Sequence, residues 1–339
     1  MRTVYLIRHG HPAIPLGERW CLGHTDLPLA AVGRMQAALL PCDSELLGKP
    51  VFCSRLSRAI ETARPLCPSP RIMDGLEEQD LGEWDGLPFT ESMVRWPALY
   101  AAREQNPDIW PDSAETTESV RRRMHAAVMR CLQETDGDIV IVSHKSAIAS
   151  LTGQRPKLSH CSISTLSWDG KELKPLEVGR VSRPPLSEAV CESLLTAAGT
   201  PEHVIAHCRA VARKAMQLAD RAEAAGSALN RDLLCSAALL HDIARTEPDH
   251  ARLGAGWIST LGYPEAAEII AQHHDPDSED LNEAALLYLA DKLILGSREV
   301  TLEERFAQSA ERCQTEEARA AHARRFQAAR HIEEKLNRS

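Results

Sequence analysis

A chain of 339 residues that is 43% hydrophobic and 26% charged is long enough and apolar enough to bury two cores. Its net charge of -9 offers no positive field to nucleic acid or an anionic membrane, so neither is expected as a partner, and any phosphate handling falls to a few local arginines. No apolar run approaches the roughly 18 residues of a membrane span, the first residues lack a signal-peptide core, and the ten cysteines are scattered with no Cys-x-x-Cys pair. They read as reduced core thiols, and a cytoplasmic protein is expected.

The first element is a short β-rich run at 3–7 that stops at Arg8-His9-Gly10. Two similar runs follow, Val51–Cys53 leading into SRLSRAIETA and Asp138–Val142 leading into SHKSAIASL. Strands that alternate with helix patterns predict an α/β fold, three layers around a mostly parallel sheet, whose ligands collect at the carboxyl ends of the strands. Arg8, His9, Arg55, Arg58 and His144 all fall just past such ends, so one pocket can gather them. A last β-like run at Ser162–Trp168 is expected to close the sheet. GRVSRPPLSEA then reads as a linker. The division expected is 1–180 for the first domain, 181–186 for the linker and 187–339 for an all-α second domain. In the second, Thr200-Pro201 predicts an N-cap with proline at the first helical position, followed by apolar residues from Val204 to Leu218 at helical spacing. Further helices are predicted at 230–243, 263–273, 281–295 and 313–336.

A strand that ends in RHG offers an imidazole for attack on phosphorus, with arginine forks to screen the phosphate charge and a carboxylic acid nearby to protonate the leaving oxygen. VFCSRLSRAIETA resembles the second arginine motif of the histidine phosphatase superfamily. LEEQDLGEWDGL resembles its acid motif, VSHKSAI its second-histidine motif, and WCLGHTDLPLAAVGRMQA its G-x-T-D-x-P-L element. PDSAETTESVRRR stands where the family has P-x-G-G-E. The resemblance runs in order from residue 1 to about 178 and leans toward the α-ribazole phosphatase branch among the phosphoglycerate mutase-like proteins. It implies that His9 attacks, that Glu78 rather than Glu77 is the acid, that Arg8, Arg58 and His144 hold the phosphoryl oxygens, and that no cofactor takes part. Lys145 and Ser113-Ala114 depart from the family pattern and leave the substrate open.

In the second half, LLHDIA places His241 and Asp242 at the end of an apolar helix. Asp291, flanked by Leu287, Leu289, Ala290 and Leu293, is a carboxylate that a core tolerates only when something pairs with it, and a metal does so. Together with His207, His250 and His273 the order resembles the HD-domain phosphohydrolases, in the branch suited to two metal ions. The resemblance implies His207, His241, Asp242, His250, His273 and Asp291 as ligands, with Asp242 as the bridge and His274 as the lesser of its pair. Imidazole with carboxylate favours a divalent transition metal, iron or manganese, over magnesium or calcium. Lys292 reads equally as a phosphate contact or a solvated lysine.

These features combine into a bifunctional phosphohydrolase acting on a small phosphorylated metabolite or nucleotide. Two alternatives stand beside it: a phosphoglycerate-type mutase, and a phosphatase regulated by a non-catalytic HD domain that senses a nucleotide or metal.

Overall fold

The computed structural model describes residues 1–153, 158–276, 280–311 and 313–338. Contacts divide the chain into two units, Met1–Pro184 and Pro185–Ser339.

The apolar runs of the first unit become a six-stranded sheet: β1 Arg2–Arg8, β2 Val51–Cys53, β3 Arg71–Ile72, β4 Ile139–Ser143, β5 Ile163–Trp168 and β6 Leu173–Arg180. Their spatial order is β3-β2-β4-β1-β5-β6. The first four lie parallel, and β5 and β6 run antiparallel to their neighbours. Side chains alternate across a strand. Val4 and Leu6 therefore pack on one face with Phe52, Ile141 and Met124, the last from helix Thr117–Gln133, while Tyr5 and Ile7 pack on the other with Val51, Val142 and Ala59 from helix Ser57–Ala63. Helices thus cover both faces, and the fold is α/β with three layers. Each fully buried Leu or Ile contributes about 1.5–3 kcal/mol to holding them together.

Two expectations need correcting. Ser162–Trp168 does not close the sheet: β6 pairs outside it, and Gly179 and Arg180, read as linker, belong to that edge strand. Nor does Thr200 cap the next helix. That helix starts at Glu202 with Pro201 as N-cap, while the Thr200 hydroxyl donates to the carbonyl of Ile243 at 2.9 Å.

Among the described residues of the second unit the regular structure is helical apart from a short hairpin, Ile294–Leu295 with Arg298–Glu299. Helix Glu283–Lys292 is buried at every position from Ala284 onward, the pattern of a helix surrounded by others. Around it pack Glu202–Ala224, Arg231–Leu240, Pro264–Ala271 and Glu316–Arg338. Three described helices absent from the predicted set, Glu188–Ala198, His250–Thr260 and Leu302–Ala310, complete the bundle. Among the described residues no helix is long and apolar enough to cross a membrane.

Pairing in register places Arg8 opposite Ser143, so His9 and His144 emerge side by side at the carboxyl edge. The turn after β1 is tight. A Cβ on Gly10 would meet the carbonyl oxygen of Gly33 at 2.5 Å, and a Cβ on Gly33 would overlap the carbonyl of His11. Gly33→Ala should therefore cost about 1–3 kcal/mol, read as a lower denaturant midpoint at unchanged slope. An unchanged midpoint would show that this approach can relax.

Candidate active site and candidate metal centre

At the carboxyl edge of the first unit, His9 is buried and its Nδ1 lies 2.7 Å from the carbonyl of Gly10. A carbonyl can only accept, so Nδ1 carries the proton and Nε2 keeps its lone pair. Burial first, then the nearby His144, Arg58 and Arg8, hold the His9 pKa well below the usual histidine value. A neutral imidazole with a free Nε2 is the form that can act as a nucleophile.

His144 lies with its ring centroid 5.0 Å from that of His9 and is likewise kept neutral, by burial and by Arg58 and Arg8. Arg58 is completely buried. Its Nη1 and Nη2 donate to the carbonyls of Thr25 and Gly23 at 2.8 and 2.7 Å. Arg8 donates through Nη1 to Leu158 O at 2.6 Å and through Nη2 to His160 Nε2 at 2.9 Å, and burial pulls its guanidinium down to about 10. What remains is a set of nitrogens with no partner: Nε of Arg8, Nε of Arg58, and both ring nitrogens of His144. Leaving such groups unpaired costs about 1–3 kcal/mol each; a phosphoryl group can accept from the two Nε–H groups and from the one His144 ring nitrogen that carries the proton.

The two glutamates separate cleanly. Glu77 turns away, accepting from Arg55 Nε at 3.0 Å and Gly75 N at 2.7 Å. Glu78 is buried and accepts from Ser146 N and Ala147 N, at 3.1 and 3.0 Å, in the first turn of helix Lys145–Thr152. Arg55, one of the residues expected in the pocket, is instead exposed and paired with Asp74 and Glu77. Lys145 is exposed as well.

Among the described residues of the second unit two groups of three possible ligands form, His207 with His241 and Asp291, and His250 with His273 and His274. Asp242 stands between them. Its Oδ2 lies 3.7 Å from His241 Nε2 and 4.0 Å from His207 Nε2, while its Oδ1 lies 3.2 Å from His250 Nε2 and 3.7 Å from His273 Nε2. All six expected ligands are brought together, and His274 joins them. Three of the imidazoles have Nδ1 tied to a backbone carbonyl, His207 to Gly296, His241 to Ala238 and His273 to Ile270, at 2.7–2.8 Å. That arrangement turns Nε2 inward, as metal-binding histidines require. Nε2 of His241, Nε2 of His273 and Oδ1 of Asp242 are buried without hydrogen-bond partners. Burial would raise both carboxyl groups, but chiefly His241 for Asp242 and Lys292 for Asp291 outweigh it and hold them well below the carboxylate range. Anionic oxygens and inward imidazole nitrogens fit a transition metal.

The family model of the histidine phosphatase superfamily (branch 1) matches residues 4–179, more than half of the chain. The chain belongs to this superfamily. The model of the HD domain matches residues 204–296, a range that contains all six expected ligands. The bifunctional protein Rv2228c of Mycobacterium tuberculosis is 34% identical over 153 residues, 43% of this chain and 42% of that protein, so the match spans less than half of the relative. Glucosyl-3-phosphoglycerate phosphatase of M. tuberculosis is 28% identical over 174 residues, 46% of this chain and 76% of its own length. Among solved structures, YhfR of Bacillus stearothermophilus is 26% identical with a TM-score of 0.49, covering 54% of this chain and 98% of that one.

Within this member of the histidine phosphatase superfamily several residues of the candidate site escaped the sequence reading. Thr62 lies within VFCSRLSRAIETA but was given no role; its hydroxyl donates to Arg58 O at 2.6 Å and accepts from Gly10 N at 2.9 Å, tying the arginine helix to the RHG turn. His160 receives Arg8 and lies 5.7 Å from the His9 ring, yet LSHCSIS carries no pattern that marks it. His24, which reaches Glu78 O at 3.0 Å, sits inside the quoted G-x-T-D element. Histidine-selective NMR, assigned against His9→Gln, should find His9 neutral and protonated at Nδ1 as the pH falls through 6.5. Its lowered pKa keeps the neutral form in place there. Titration at or above 6.5 would contradict the geometry.

Proposed function

We propose that this chain is a bifunctional phosphohydrolase, with a phosphomonoesterase at His9 and a metal-dependent phosphoesterase at the HD site. The observation that carries the first half is the set of unpartnered nitrogens of Arg8, Arg58 and His144 grouped around a neutral His9. In the proposed reaction His9 Nε2 forms a bond to phosphorus as the bond to the leaving oxygen breaks, and Glu78 gives that oxygen a proton. Glu78 then takes a proton from water as the water attacks the phosphohistidine and frees phosphate. Arg8, Arg58 and His144 hold the phosphoryl oxygens throughout, where fixed charge in a dry site is worth most. No cofactor is needed for these steps.

The HD half rests on Asp242 facing both ligand groups, one with each oxygen. His207, His241 and Asp291 would hold one ion and His250, His273 and His274 a second, with Asp242 shared. Two divalent ions such as iron or manganese would supply Lewis acidity toward a phosphate ester and its attacking water. Lys292 donates to Asp291 Oδ2 at 2.7 Å, which leaves Oδ1 toward His207 and His241. The cavity over this centre, about 340 Å³, is also lined by Arg245, Lys292 and Arg305, cations suited to further phosphate oxygens of a small metabolite or nucleotide. The domains proposed for the two activities are 1–180 and 187–339, joined at 181–186, in a cytoplasmic protein.

His9→Ala should abolish both p-nitrophenyl phosphate hydrolysis and acid-labile phosphate on the protein, with bound metal unchanged. A phosphoenzyme trapped in this variant would remove His9 from the role.

Full-length protein reconstituted with iron, manganese or cobalt should carry up to two ions per chain, and Asp242→Ala should lose most of them. Chelation should spare the His9 reaction. Metal analysis that finds no ion in the reconstituted wild type would end the HD half of this reading.

A further inference from the structure

Residues 74–78 carry the acid of the proposed reaction without belonging to any helix or strand. Five consecutive carbonyls of this loop accept from side chains of other elements. Arg130 takes Asp74 O, Arg123 takes Gly75 O at 3.0 Å and Glu77 O at 2.8 Å, and the Ser143 hydroxyl takes Leu76 O at 2.8 Å. Glu78 O receives Arg123 at 2.7 Å and lies 3.0 Å from His24 Nε2. Arg123 and Arg130 sit two turns apart on one face of helix Thr117–Gln133. Arg123 is itself fixed by a two-point bond to Glu115, Nε to Oε1 at 2.9 Å and Nη2 to Oε2 at 2.8 Å. Glu115 is anchored in turn, donating N–H to Asp80 O at 2.9 Å and accepting from Gln79 Nε2 on its carbonyl at 2.6 Å.

The carboxyl group of Glu78 is held only by backbone N–H groups, those of Gln79, Ser146 and Ala147. Proton transfer must exchange some of those bonds for contacts to the leaving oxygen and then to water. The backbone beneath the side chain must stay still while that happens, because a loop free to move pays about 1–2 kcal/mol per residue each time it is fixed again. Guanidinium, planar and rigid with five donors, can grip three carbonyls and a carboxylate at once, which an ammonium cannot.

We propose that Arg123, held by Glu115, is a positioning residue for Glu78: it splints the acid loop so that the carboxyl group meets the leaving oxygen in each turnover. This rests on the reading of Glu78 as the acid. The chemistry it supports is the transfer of one proton from the Glu78 carboxyl to the departing oxygen. Its signature is dependence on the leaving group, because phenolate needs that proton more than p-nitrophenolate does.

The test compares kcat/KM for phenyl phosphate and p-nitrophenyl phosphate in full-length wild type, Arg123→Met, Arg123→Lys, Glu115→Gln and Glu78→Gln. Arg123→Met should lose at least about tenfold more on phenyl phosphate than on p-nitrophenyl phosphate, with Glu78→Gln discriminating more strongly in the same direction. Arg123→Lys, which reaches fewer carbonyls, and Glu115→Gln should fall between wild type and Arg123→Met. Equal losses on both substrates in the Arg123 variants, beside a discriminating Glu78→Gln, would overturn the positioning role. Equal losses in Glu78→Gln would instead overturn the acid assignment beneath it. If circular dichroism shows Arg123→Met unfolded, Arg123→Lys and Glu115→Gln decide by the same comparison.

Discussion

A guanidinium group cannot shed its charge near neutral pH, so burying Arg58 completely commits the surrounding backbone to it. Gly23 and Thr25 present their carbonyls to its two Nη atoms. The loop that does so has its own N–H groups at Gly23, His24 and Thr25 gathered by the carboxylate of Asp85 at 2.7–2.8 Å. From this loop His24 reaches Glu78 O, and from the other side Arg123 reaches the same atom. Arg58 O accepts Thr62, which accepts Gly10 N. One buried charge is thus connected, through short steps of known sign, to the RHG turn and to the acid loop. The network ties each Nη of Arg8 and Arg58 to protein by one bond and leaves Nε of both arginines without a protein partner.

In the second unit the constraint is reversed. Asp242 and Asp291 are nearly buried carboxylates, and the groups that face them are imidazoles drawn from four helices or helix ends. Anionic oxygen in such surroundings is tolerated when cationic or metal charge compensates it. From Ala284 onward the only charged residues of the helix that carries Asp291 are Asp291 itself and Lys292, so both ionic groups enter the core together and pair there. Lys292 is therefore a buried partner of a candidate ligand, and the solvated reading of that residue fails.

What could be read from the sequence was carried by side chains at strand ends. Arg8, His9, Arg58 and His144 each follow a short apolar run, and periodicity together with motif order was enough to bring them to one edge. Arg123 left no such trace, because its partners are backbone carbonyls, and a carbonyl has no residue type for a motif to record. The outer strands were missed for a related reason. Arg71 and Ile72 are both exposed, and Leu173–Arg180 has no fully buried position, so neither shows the apolar alternation that marks a strand. Arg180 is held there by Asp43, Glu45 and Glu177, contacts that its GRVSRPP setting does not announce. His274 was set behind His273, and the structure brings both of them beside His250.

The histidine supports differ in how far apart in the chain they lie. His241 and His273 each bond through Nδ1 to a carbonyl three residues earlier, in the last turn of the preceding helix. His207 is held by Gly296, 89 residues away. Contacts that close short loops form early in folding, whereas those between distant segments wait for the chain to collapse. The Nδ1 supports of His241 and His273 are local to their own helix ends, whereas that of His207 exists only where two distant segments of the bundle meet.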